Sequence, residues 1–232
     1  MIQDPTNQYI ATILSQCDIN GKDVLEIGCG KGRITRELAE HAKRLTATDP
    51  DSSALEKARC LLAAAKVDFM LVPDGVADLP SGSFDVVIYT LSLHHVPVAE
   101  MHHSLRKAAN LLREDGVIVI VEPGEGGSFT ETKERFGAGS GDERPARKSA
   151  IRAMHALEGW TTEETILFRT LFQFDNDEDF LACMLPDYRQ RPESLVAEVR
   201  RFLDQHKTAN GIFLDAYRRL NLLRPSGTRA TS

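Results

Sequence analysis

Residues 22–35 read KDVLEIGCGKGRIT, a short apolar run that passes straight into a glycine loop and then into the start of a helix. Val24, Leu25 and Ile27 form the branched, apolar cluster expected of a parallel strand covered on both faces. Glu26 interrupts that run. A carboxylate is costly to bury unless something polar meets it, so the end of this strand is predicted to open onto a ligand. Gly28, Gly30 and Gly32 follow at alternate positions, letting the backbone turn sharply and approach a bound molecule closely. Behind them RITRELAEHA, residues 33–42, has helical apolar spacing, and the N–H groups at its start suit an anion.

Downstream, residues 44–67, RLTATDPDSSALEKARCLLAAAKV, predict a second strand ending at Asp49, then Pro50, an Asp/Ser cap and a helix. This is a βαβ rhythm, and right-handed crossover makes the two strands parallel neighbours with Asp49 beside the glycine loop. One carboxylate there can accept from both hydroxyls of a ribose. The plainer role for Asp49, capping the next helix, competes with Asp51 and Ser52. Upstream, Tyr9, Ile10, Ile13 and Leu14 give residues 5–17 the spacing of an amphipathic helix, which either covers the ligand cleft or packs on the core.

The 232 residues suffice for one α/β domain with an elaboration. A net charge of -6 with 27% charged residues supplies no general field for nucleic acid or anionic lipid. No apolar run is long enough to span a bilayer and MIQDPTNQYI lacks a signal-peptide pattern, so a cytoplasmic location is expected. Cys17, Cys29, Cys60 and Cys183 are scattered and read as reduced thiols, not as a disulfide frame or zinc site.

VDFMLV at 67–72 is a third, short strand, and PDGVADLP follows it. In SGSFDVVIYTLSLHHVP, residues 81–97, a turn precedes a fourth strand, Phe84 to Tyr89, and Thr90 to Ser92 begin a loop at its carboxyl end. A helix, a Glu-Asp-Gly stop and a fifth strand from Val117 to Val121 lead to Glu122 and Pro123. Residues 124–150, rich in Gly, Ser and charge, read as a mobile loop or a loop with a short helix. Helices are expected at 148–157, 175–185 and 193–206, with a strand at 164–175 and a last antiparallel strand at 211–223.

The acid and glycine loop of VLEIGCGKG resemble motif I of class I S-adenosylmethionine-dependent methyltransferases, an acidic residue followed by GxGxG. The loop is less like the dinucleotide fingerprint GxGxxG, because the third glycine is Gly32 and position 33 is Arg. FDVVIYTLSLHHV resembles motif IV of the same group, in the type that includes the ubiquinone and menaquinone biosynthesis enzymes. This resemblance covers roughly residues 23–123. It implies a Rossmann-like, doubly wound, mostly parallel α/β sheet with a helical elaboration after the fifth strand. A single domain would divide into a helix cover at 1–20, a cofactor-binding core at 21–123 and an acceptor-side lid with remaining elements at 124–232.

The resemblance also implies S-adenosylmethionine as cofactor and S-adenosylhomocysteine as product, held by Glu26, Gly28, Cys29, Gly30, Gly32, Asp49 and Pro50. Asp74 and Gly75 match the acid and small residue at the adenine, with Val76 and Ala77 as alternatives. Backbone around Thr90 and Leu91 would face the methionine end, with His94 and His95 opening the next helix near the transferred methyl.

Methyl transfer is an in-line displacement that needs alignment, and a base only when the acceptor is protonated. His95, slightly ahead of His94, is the candidate base because imidazole titrates near neutrality. No metal is expected, since no carboxylate completes a ligand set with His94, His95, His102 and His103. Glu122 is either a substrate contact or a buried strand-end acid. Arg135, Arg144, Arg147 and Lys148 could bind an acidic acceptor or be a solvated loop, and Phe129 and Phe136 could help residues 124–149 close over it. A small-molecule acceptor is expected, with no nucleic acid and a monomer or homodimer. An NAD-dependent oxidoreductase and a non-catalytic S-adenosylmethionine-binding protein are the alternatives.

Overall fold

The apolar run at Val24–Ile27 forms the middle of a parallel sheet, as its burial on both faces requires. The computed structural model describes residues 1–73 and 76–227. Its first part comprises β1 (Ile2–Gln3), α1 (Gln8–Gln16), β2 (Asp23–Ile27), α2 (Arg33–Ala39), β3 (Arg44–Asp49), α3 (Ser52–Leu61) and β4 (Val67–Leu71). Next come β5 (Phe84–Thr90), α4 (Met101–Leu111), β6 (Leu112–Pro123), α5 (Ser128–Phe136) and α6 (Arg144–His155). The chain ends with β7 (Trp160–Thr162), β8 (Ile166–Phe174), α7 (Asp177–Met184), α8 (Glu193–Asp204), β9 (Lys207–Thr208) and β10 (Gly211–Pro225). It divides into two compact units.

The larger unit comprises Ile10–Glu122, Ala146–Ile166 and Arg219–Ser232. Its strands run β6-β5-β2-β3-β4, with the end of β10 beside β6 and β7 paired to β10 through Leu223 and Thr162. The five strands from β6 to β4 are parallel, in the register Val24 to Leu45, Val24 to Val86 and Val86 to Val117. The chain moves from β2 to β3 on one side and returns to β5 on the other. Strand β2 therefore sits at the switch point where open α/β sheets leave a crevice at their carboxyl ends. Leu25, Val87, Tyr89, Leu105, Ile118 and Ile120 are buried together in the core.

Glu114, Asp115 and Gly116 do not stop the chain ahead of the fifth strand. Strand β6 starts directly after α4, and its register with β5 shifts between Phe84–Leu112 and Val86–Val117, so that the acidic residues lie in a bulge. His94 and His95 also depart from expectation. With Leu93 they form a 3₁₀ turn, and α4 begins only at Met101, after Pro97.

The smaller unit comprises Met1–Tyr9, Pro123–Pro145 and Leu167–Arg218. Strand β8 lies between β1 and β10, and β9 pairs with β10. Its core contains Phe129, Phe136, Phe172, Phe174, Phe180 and Phe202, and Phe129 stacks on Phe172 with centroids 3.6 Å apart. This corrects the expectation of two phenylalanines free to grip an acceptor. The glycines before α5 have a structural reason as well: a Cβ at Gly127 would lie 2.5 Å from the Asp215 carbonyl oxygen. Ser128 then donates to Asp215 Oδ1 from its N–H at 3.0 Å and its hydroxyl at 2.7 Å, which fixes the start of α5. Arg135 pairs with Glu131 and Glu198, and Arg144 with Asp142, so these two residues of the predicted basic region are neutralised. No helix among the described residues is long and apolar enough to cross a membrane.

Candidate functional site

A cavity of about 880 Å³ opens in the larger unit at the carboxyl ends of β2, β3 and β5, a size suited to a small organic ligand. Its floor is the glycine loop. Gly28 and Cys29 donate their N–H groups to the Thr48 carbonyl at 2.8 and 3.0 Å, tying the loop to β3. Gly28 and Gly30 adopt φ of 79° and 55°, and a Cβ at Gly30 would meet nothing within 4 Å. That side of Gly30 is open to a ligand.

Asp49 terminates β3 and lines the cavity. Its Oδ2 accepts from the Gly30 N–H at 2.7 Å and its Oδ1 from the Asp51 N–H at 2.9 Å. These two bonds fix the carboxylate while leaving lone pairs on both oxygens for a ligand diol. The helix cap falls to Asp51, whose side chain accepts from Ser53 and Ala54. Leu91, also on the lining, holds φ of 56° and donates its N–H to Val121 at 2.7 Å. A left-handed non-glycine residue costs on the order of 1–3 kcal/mol and marks a constrained site.

Glu26 is 1% exposed, and burial pushes its carboxyl up to about 7. Thr35 and Arg33 pull it back, and the Asp49 carboxylate adds to the rise. Among the described residues Glu26 Oε2 has no hydrogen-bond partner, and the nearby Thr35 Oγ1 makes no bond of regular geometry. Glu26 is thus a buried acid at the end of β2 with one oxygen left without a regular hydrogen bond among the described residues.

The two histidines divide their positions. His94 is buried, with its Nδ1 2.6 Å from Glu122 Oε2, and its backbone N–H reaches Glu122 Oε1 at 3.3 Å. With a carboxylate opposite, Nδ1 carries the proton and donates. His95 is exposed and lines the cavity, its ring 4.1 Å from that of His94.

Of the residues expected at the site, Gly28, Gly30, Asp49, Pro50, Val76, Leu91 and His95 line this cavity. Glu26, Cys29, Gly32 and His94 do not. Cys29 packs on Ala47 and Leu55, burial pushes its thiol well above the usual range, and all four cysteines are free. A Cβ at Gly32 would lie 3.0 Å from that of Ala58, so the third glycine lets α2 approach α3. Asp74 and Gly75 lie outside the described residues. Not foreseen were Ser92 and the face of α4 and its approach, Glu100, His103, Ser104 and Lys107. Their spacing of three to four residues was the available signal. Lys107 Nζ is 2.9 Å from Asp78 Oδ1, and that bond lowers the Asp78 carboxyl from its ordinary range.

Residues 24–116 match a family described as a methyltransferase domain. An uncharacterized methyltransferase from Mycobacterium tuberculosis is 27% identical over 113 residues, 49% of this chain and 56% of that protein. Nodulation protein S from Bradyrhizobium diazoefficiens is 25% identical over 164 residues, 68% of this chain and 76% of its own. A solved structure of a candidate type II methyltransferase from Anaeromyxobacter dehalogenans has a TM-score of 0.68 at 16% identity, covering 97% of this chain and 98% of that one. The chain spans just over half the length of the first curated relatives it matches. The similarity to a methyltransferase domain is confined to residues 24–116, and the fold is that of the class I methyltransferases.

Proposed function

We propose that the protein transfers a methyl group from S-adenosylmethionine to a small-molecule acceptor. The observation that carries this reading is Asp49, fixed on the Gly30 amide at 2.7 Å at the edge of a cavity whose glycine floor is open. The residues fit the cofactor. Asp49 would accept from its ribose hydroxyls, the open side of Gly30 would admit it against the backbone, and Val76 and Leu91 would give apolar contact. Glu26 would neutralise a nearby positive charge once ionised. When bound, the cofactor supplies a methyl group already activated on a cationic sulfur.

The chain's part is alignment and proton removal. His95 is placed on the cavity to take a proton from a hydroxyl or amine acceptor. Glu122 acts at one remove: by accepting from His94 Nδ1 it fixes the ring against which His95 packs. A monomeric or homodimeric state remains part of this proposal.

The test is formation of S-adenosylhomocysteine on incubation with S-adenosylmethionine and a panel of hydroxyl- and amine-bearing small molecules. His95→Ala should lower turnover of a protonated acceptor roughly 100-fold or more while cofactor affinity stays within a few-fold. Full turnover across the acid side of the pH profile would remove His95 as the base. Tight cofactor binding with no product for any acceptor would favour a non-catalytic binding protein. Hydride transfer to a nicotinamide cofactor would replace the reading altogether.

A further inference from the structure

Arg218 is 4% exposed, within the smaller unit, on the face of β10 that also carries Ala216. Its guanidinium is held from several directions. Nε donates to the Tyr9 hydroxyl at 2.6 Å and Nη1 to the Tyr217 carbonyl at 3.1 Å. Its Cζ lies 5.5 Å from the ring centre of Phe172 and 5.9 Å from that of Tyr9. Those rings are fixed in turn: Phe172 stacks on Phe129, and Tyr9 packs edge-on against Phe168 at 5.8 Å.

What the group lacks is an anion. Among the described residues no carboxylate comes within ion-pair distance of it. Asp4, which binds the Tyr9 N–H at 3.0 Å, uses its other oxygen on the Gln8 N–H at 2.9 Å and so caps α1. Two more exposed arginines of this unit have acid partners, Arg191 with Asp187 and Arg200 with Asp177 and Glu178. A guanidinium does not lose its proton, and ring faces offset only part of the cost of burying it. Of its five N–H donors two are used. Nη2 makes no hydrogen bond among the described residues and is not completely sealed from solvent.

We propose that Arg218 is a recognition point for a small ligand bearing an oxyanion, a carboxylate or a phosphate. The free hydrogens of Nη1 and Nη2 form a parallel fork that matches two oxygens of such a group. Because the rings and the Tyr9 hydroxyl hold the fork in place, little freedom is lost when the anion arrives. This inference does not rest on methyl transfer.

Calorimetric titration of the full chain at low ionic strength, with inorganic phosphate and separately with acetate, tests it. The wild type should bind at least one probe, and the stronger of the two tells phosphate from carboxylate. Arg218→Met should weaken that probe roughly 10- to 100-fold. Arg218→Lys should weaken it several-fold, because a point charge cannot form the fork, and Tyr9→Phe should do so a few-fold. Binding of neither probe by the wild type, or unchanged binding by Arg218→Met, would overturn the site. Should the methionine variant not fold, unchanged affinity in both Arg218→Lys and Tyr9→Phe overturns it equally.

Discussion

Asp49 shows how a single side chain can be fixed by the backbone around it at the edge of a cavity. Its two oxygens each hold one backbone N–H, so the carboxylate is aimed before anything binds. Asp49→Ala should weaken S-adenosylmethionine binding by about 1.5–3 kcal/mol, the scale of a hydrogen bond to a charged group. Calorimetry giving wild-type affinity would take Asp49 out of the site. The sequence located this residue because the end of a strand beside a glycine loop is a position set by topology. The roles of His94 and His95 were not separable in the same way. Adjacent residues in a 3₁₀ turn point in different directions, and only the packing of Glu122 against one of them shows which is buried.

At the scale of the element, the glycine loop contains positions that are required for different reasons. A Cβ at Gly28 would fall 2.4 Å from Ser92 Cβ, and Ser92 Oγ donates to the Ile27 carbonyl at 2.6 Å, holding the ends of β2 and β5 together. Gly28→Ala should therefore cost stability, on the order of 1–3 kcal/mol in denaturant unfolding. Gly30→Val meets no protein atom at its Cβ. Beyond the modest strain of its backbone, it should act chiefly on the ligand, abolishing cofactor binding in a folded protein. Equal effects of the two variants on stability and on binding would refute this division. Helix α5 makes a second case. Because Phe129, Thr132 and Phe136 are buried, residues 128–136 should exchange slowly in the ligand-free protein, and rapid exchange there would show that the segment is the mobile loop its composition suggests.

At the scale of the whole molecule, Glu26 makes stability depend on pH. Its carboxyl rises from 4.5 to about 7 on folding. Below the unfolded value both states are protonated and nothing is lost. As pH rises from there to about 7 the unfolded chain releases the proton first, so stability falls, by on the order of 3 kcal/mol. Glu26→Gln should flatten this fall in the ligand-free protein, read as denaturant midpoints at pH 5 and pH 8. A wild-type curve that rises over the same range through this residue would contradict the burial argument.

The sequence by itself determined the parallel core and the loop at its switch point. Alternation of apolar strands and capped helices, together with glycines and acids at strand ends, records constraints that act over only a few residues. It also gave the final strand, whose run from Gly211 continues through Pro225. Tertiary structure decided that the face of α4 and its approach, Glu100, His103, Ser104 and Lys107, joins the expected residues around the cavity. The same holds for residues 124–149. Gly124 and Gly127 look permissive as letters, yet they are small because β10 passes within contact distance of their backbone. Arg218 depends on tertiary structure most of all: it is one arginine among many until Tyr9, 209 residues away in sequence, closes over it and no acid among the described residues does. Burial and pairing are sums over distant parts of the chain, and no local pattern encodes them.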